Sequence, residues 1–88
     1  MIKVTLVCSD SEQIKKVRDS IGDSLTFFVL DPSSRTDRKK AIALKSYWGA
    51  RVDPFAIITD DDKPIKAFYS EAENVINNLI LYLNERIN

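Results

Sequence analysis

The sequence predicts a three-layer α/β domain: one four-stranded mixed sheet with helices on both faces, in the order β-α-β-α-β-β-α. Three observations predict it. Apolar, strand-like runs alternate with segments of helical period through the first half of the chain. A short polar connection joins the third and fourth runs, which makes them an antiparallel hairpin. The last segment carries a wide apolar face of period 3.6, which needs a sheet to lie on. The chain of 88 residues is enough for one such domain, residues 1–88.

Ile2 to Cys8 is the first strand, read as apolar on both faces and therefore central. Ser9-Asp10-Ser11-Glu12 follows as a capping box, with Ser9 as the N-cap and Glu12 three residues on. Ile14, Val17 and Ile21 fall at helical spacing, and Gly22 ends that helix. Leu25 to Leu30 is the second strand, completing a right-handed β-α-β unit. After the loop at Asp31-Pro32-Ser33-Ser34, residues 36–48 form a helix with Ala41, Leu44 and Trp48 on its inner face. Tyr47 and Trp48 are expected partly in the core, and Gly49 stops the helix.

Phe55 to Thr59 is the third strand, Asp60 to Lys63 a turn, and Pro64 to Tyr69 the fourth strand. Ser70-Glu71-Ala72-Glu73 reads as a second capping box. The helix it opens carries Val75, Ile76, Leu79, Ile80, Leu83 and Ile87. The expected strand order is 2-1-3-4, the first two parallel and the third antiparallel to the first. The first and third helices share one face, and the second covers the other. Val4, Leu6, Phe28, Ile57, Val75 and Leu79 are the predicted core.

Apolar residues make up 44% and charged residues 30%, the balance of an ordinary globular domain. There are 13 basic and 13 acidic residues, so net charge points to neither nucleic acid nor membrane. A single cysteine, Cys8, excludes an internal disulfide and a Cys-rich zinc site. The absence of histidine removes the commonest metal ligand and general base, and with them any Ser-His-Asp set. No run reaches the length of a membrane span. Met1-Ile2-Lys3-Val4 enters a strand without a charged leader, so a cytoplasmic protein is expected.

The junction from Trp48 to Ile58, Trp-Gly-Ala-Arg-Val-Asp-Pro-Phe-Ala-Ile-Ile, joins a basic helix to an apolar strand through one Gly and one Pro. With the element order, it resembles the glutaredoxin-type minimal form of the thioredoxin family, over essentially the whole chain. The resemblance implies that Pro54 is the family's cis proline and that Arg51-Val52-Asp53 is the backbone that pairs with substrate. The Cys-x-x-Cys pair of that family is absent. Its place falls near Asp10-Ser11-Glu12-Gln13, and Asp10 stands where a monothiol glutaredoxin keeps its cysteine.

Cys8 lies two residues earlier. It is either a weak candidate for thiol chemistry near a helix N-terminus or a buried small apolar residue. The family's glutathione pocket uses the start of the last helix. Here the exposed amides suit a carboxylate but Glu71 and Glu73 would repel one, so glutathione is a weak candidate and no cofactor is expected. The basic run Arg35, Arg38, Lys39, Lys40 and Lys45 is read as a solvated helix face. Asp60-Asp61-Asp62 lacks calcium-loop spacing and is read as a turn, so no metal is expected.

Three functional readings follow. The first is a redox-inactive thioredoxin-like domain that binds a polar peptide or a protein, rather than an enzyme. Its site gathers Ser9, Asp10 and Ser11 with Arg51, Val52, Asp53 and Pro54, and with Ser70 and Glu71, at one end of the sheet. The second is an atypical single-cysteine thiol oxidoreductase using Cys8. The third is a small structural or regulatory protein acting through its basic second helix.

Overall fold

The computed structural model describes residues 1–21, 25–50, 54–69 and 74–87. Four strands, β1 (Ile2–Val7), β2 (Thr26–Leu30), β3 (Phe55–Asp60) and β4 (Lys63–Phe68), form one mixed sheet in the order β2-β1-β3-β4. Three helices accompany it: α1 (Ser11–Ile21), α2 (Arg38–Trp48) and α3 (Val75–Ile87). β1 runs parallel to β2 and antiparallel to β3, and β3 and β4 form the hairpin. Order and directions are those the sequence predicts.

The sheet sorts its side chains by the two-residue period of a strand. Val4, Leu6 and Cys8 point to one side with Ala56, Ile58 and Phe68, against Val17 and Ile21 of α1 and Val75, Ile76, Leu79 and Leu83 of α3. Val7, Phe55 and Ile57 point to the other side, against Ala41 of α2, with Leu30, Leu44 and Trp48 half-buried around them. Val4, Leu6, Ile57, Val75 and Leu79 are buried as predicted.

Phe28 is not: half of its surface is exposed. β2 is an edge strand, α2 lies over its Leu30 end, and the Phe28 ring is left beneath the Lys3 ammonium at 5.0 Å. β1 also departs from the sequence reading, since Lys3 and Thr5 stand half-buried on the α2 side. Only at Val7 is that side of β1 apolar and sealed. Tyr47 is a third correction, 81% exposed rather than partly in the core. Neighbours in a helix point about 100° apart, so with Trp48 on the inner face beside Leu44 and Ala41, Tyr47 must turn outward.

The helix ends explain the remaining boundaries. α1 is capped by Asp10, not Ser9: the Asp10 carboxylate accepts from the Glu12 and Gln13 amides at 3.0 and 3.4 Å. Ser and Asp are equally good caps, so the choice falls to the register that turns Val17 and Ile21 into the core. α2 begins at Arg38 rather than residue 36, because Asp37 spends its carboxylate on the Asp31 amide at 3.2 Å and residues 32–37 stay in turns. It ends in a Schellman motif at Gly49, φ 71°, with Ala50 N–H bonded to Lys45 C=O at 2.8 Å. α3 is capped by Asn74, whose side-chain oxygen accepts from Asn77 N–H at 3.2 Å. The predicted cap at Ser70-Glu71-Ala72-Glu73 lies outside the described residues. The hairpin turns through Asp61 and Asp62, both at positive φ as a type I′ turn requires.

Candidate functional site

The register of the sheet decides which predicted site residues meet. Val7 pairs with Phe55, and Ala56 pairs with Phe68. The residues just beyond these pairs, Cys8, Pro54 and Tyr69, therefore emerge at the same end of the sheet. α1 starts above that end, with Ser9, Asp10 and Ser11 exposed. Pro54 is half-buried at the same end, and Tyr69 is 44% exposed. The structure thus brings together Ser9, Asp10, Ser11 and Pro54. Arg51, Val52 and Asp53, the geometry of the Asp53–Pro54 bond, and Ser70 and Glu71 lie outside the described residues.

The chemistry of this end is set by two facts. The first turn of α1 does not offer free amides to an anion at Glu12 and Gln13, because Asp10 already occupies them. A negative group arriving there would also meet the Asp10 carboxylate. The second fact is the state of Cys8. It is 2% exposed, inside the α1/α3 core. Its Sγ donates toward Asp10 C=O at 3.7 Å and Gln13 Oε1 at 3.5 Å, and its N–H bonds to Leu30 C=O at 3.1 Å. Thiol chemistry needs an accessible thiolate. This side chain behaves as a small core residue with a weak donor.

Elsewhere, Asp60 and Asp61 of the Asp60-Asp61-Asp62 run hold the Met1 ammonium. Met1 N lies 3.0 Å from Asp60 and 2.8 Å from Asp61. Hydrogen bonds to Asp61 and then Asp60 hold that amine above its ordinary pKa. Among the described residues, no group of three or more acidic, Cys or His side chains is placed to hold a metal ion. None of the described helices is long and apolar enough to cross a membrane. On α2, Arg38, Lys39 and Lys40 are exposed, and the helix contains no acidic residue.

Residues that sequence reasoning passed over are Lys3, Thr5 and Thr59, polar side chains on the two interior strands. The signal was present in the alternation Lys3-Val4-Thr5-Leu6. Reading the run as wholly apolar hid it.

No family model matches the chain. No curated protein matches it significantly. Solved structures do share its fold. One described as the structure of a malarial protein aligns over 98% of this chain and 96% of its own, with a TM-score of 0.60 and 12% identity. One described as a designed protein aligns over 99% of this chain and 77% of its own, with a TM-score of 0.60 and 15% identity. At these identities the likeness concerns the fold alone.

Proposed function

We propose that the chain is a glutaredoxin-like domain of the thioredoxin fold that has no thiol chemistry and binds a peptide or protein. The reading places the binding surface at the sheet end that carries Ser9, Asp10, Ser11 and Pro54, and extends it to Arg51, Val52, Asp53, Ser70 and Glu71. The observation that carries it is the contrast at that end. Cys8 is sealed at 2% exposure, while Ser9 to Ser11 stand open at the sheet end that carries Pro54. A surface without a reactive group can still recognise an extended segment through backbone hydrogen bonds and side-chain contacts. Amides capped by Asp10 favour a neutral or mixed-charge peptide over phosphate. The reading needs no cofactor, glutathione included, and places a lone reduced cysteine in the cytoplasm, where such thiols persist.

The test is selection of peptides from a random library on the native domain, followed by amide chemical-shift mapping of a selected peptide. Shifts should cluster at residues 9–11 and 51–54. Shifts confined to the outer face of residues 35–45 would sink this reading. They would favour a second one, a regulatory protein acting through α2, for which the exposed Arg38, Lys39 and Lys40 speak.

A further inference from the structure

α2 is the sole helix described on its side of the sheet. A helix is about 10–12 Å across with its side chains, whereas four strands spaced about 4.8 Å apart are far wider. α2 lies toward Val7, Leu30 and Phe55. Beside it a groove of about 580 Å³ remains, on the half of the face where β1 begins and β3 ends. That volume is within the range, about 300–1,000 Å³, that holds small organic ligands.

The groove has an amphipathic lining. Leu44 and Trp48 form its helical wall, and Ile57 continues the apolar surface across the floor. Tyr47 stands at the rim with its ring edge-on to Trp48, centroids 5.8 Å apart at 77°. Apolar surface then gives way to polar groups. Lys3 and Thr59 are direct partners across the β1–β3 ladder, and Thr5 is two residues along. Strands buried on both faces read as apolar on both, whereas a face left open carries polar residues. Here Lys3, Thr5 and Thr59 line the floor, with the Lys3 ammonium 5.0 Å from the Phe28 ring at the β2 edge, and Lys40 lines the wall. Asp62 is the one carboxylate of the lining. No ion pair within 4.0 Å joins it to Lys3 or Lys40.

We infer that this groove is a binding site for a small planar aromatic carboxylate, its ring against Trp48 and Leu44 and its carboxylate between Lys3 and Lys40. The flat apolar wall suits an aromatic ring, whose edge-to-face contacts add to simple burial. The charge of the lining, two ammoniums to one carboxylate, selects an anion. Thr5 and Thr59 hydroxyls supply further donors to a carboxylate oxygen. This site is on a different part of the molecule from the Ser9–Pro54 surface and does not depend on the peptide-binding reading.

The test uses 2-naphthoate and its neutral isostere 2-naphthamide, titrated into the whole chain. Trp48 is the only tryptophan, so its indole N–H resonance is a single reporter on the groove wall. Naphthoate should produce a saturable shift and bind about fivefold or more tighter than naphthamide, with the advantage shrinking as salt rises. Lys3→Gln and Lys40→Gln should each erase part of that advantage. Asp62→Asn, which keeps a residue tolerant of positive φ, should tighten naphthoate and leave naphthamide unchanged. If Lys3→Gln fails to fold, the exposed Lys40→Gln and Asp62→Asn variants decide. No saturable shift of the indole signal, equal affinity for the two compounds, or indifference of naphthoate to both Lys40 and Asp62 overturns the assignment.

Discussion

The accessibility of Cys8 separates a binding domain from a thiol enzyme. The perturbation is a chromogenic aromatic disulfide, added to the native chain and to the chain in denaturant. In the native state 2% of the Cys8 surface is exposed, and its sulfur is flanked by Asp10 C=O and Gln13 Oε1. Reaction therefore requires the β1–α1 junction to open. Cys8 belongs to the core cluster that includes Leu6, Val17 and Leu79, so its opening sits nearer the global than the fraying end of the stability range. A domain of this size has about 4–13 kcal/mol in total. Even an opening of about 3 kcal/mol leaves fewer than about 1 molecule in 100 reactive at any instant. The native rate should be at least about a hundredfold below that of the denatured chain at the same pH. It should climb with urea along the unfolding curve. A native rate within about threefold of the denatured rate would refute the burial argument and restore Cys8 as a nucleophile.

Three further outcomes are expected. Leu79→Ala, at a fully buried position between α3 and the sheet, should cost about 2–5 kcal/mol in urea unfolding; a loss well under about 1 kcal/mol would mean that α3 does not pack on the sheet through this residue. Asp10→Ala should cost about 0.5–2 kcal/mol as the loss of an N-cap, whereas Ser9→Ala should stay within about 0.5 kcal/mol; the reverse ranking would return the cap to Ser9. The Met1 ammonium has its pKa raised by Asp61 and Asp60, so its contribution is complete below the unfolded value near 8 and is lost as pH rises through the higher folded value. Thermal melts from pH 7 to 10 should show a small alkaline loss in the free-amine chain that an N-acetylated chain lacks, and superimposable profiles would dismiss the pairing.

The order of elements was legible because it rests on patterns repeated over many residues. The alternation of apolar runs gave four strands, and the period of Val75, Ile76, Leu79 and Leu83 gave the last helix. Choices between adjacent, equivalent residues were not legible. Ser9 and Asp10 are both good caps, and only the register of α1 against the core separates them. The exposure of Phe28 was hidden because a strand sequence does not state whether a helix will cover it. The same limit hid the polar floor of the groove, since Lys3 and Thr5 gain meaning only when Thr59 is set opposite and α2 falls to one side. At the predicted peptide site, sequence brought Ser9, Asp10, Ser11 and Pro54 to one end, but not the use of the Asp10 carboxylate to fill the α1 amides.

The two faces of the sheet are built differently. The α1/α3 side holds most of the fully buried large side chains, among them Leu6, Ile58, Leu79 and Leu83. The α2 side is sealed at one end by Val7 and Phe55 and is open at the other. With α2 the one helix described on its side, this inequality is built in, because one helix cannot span the width of the sheet. Stability and the proposed ligand binding should then be separable by position. Substitutions at Leu79 act on the closed side, while Lys40 and Asp62 belong to the open one. Effects at such independent sites add to within about 0.3–0.5 kcal/mol. Combining Lys40→Gln with Leu79→Ala should therefore give the stability of Leu79→Ala alone, within that margin, together with the ligand affinity of Lys40→Gln alone. Marked non-additivity in either quantity would mean that the open side contributes to the core, and that its polar floor is part of the fold rather than a surface left for a ligand.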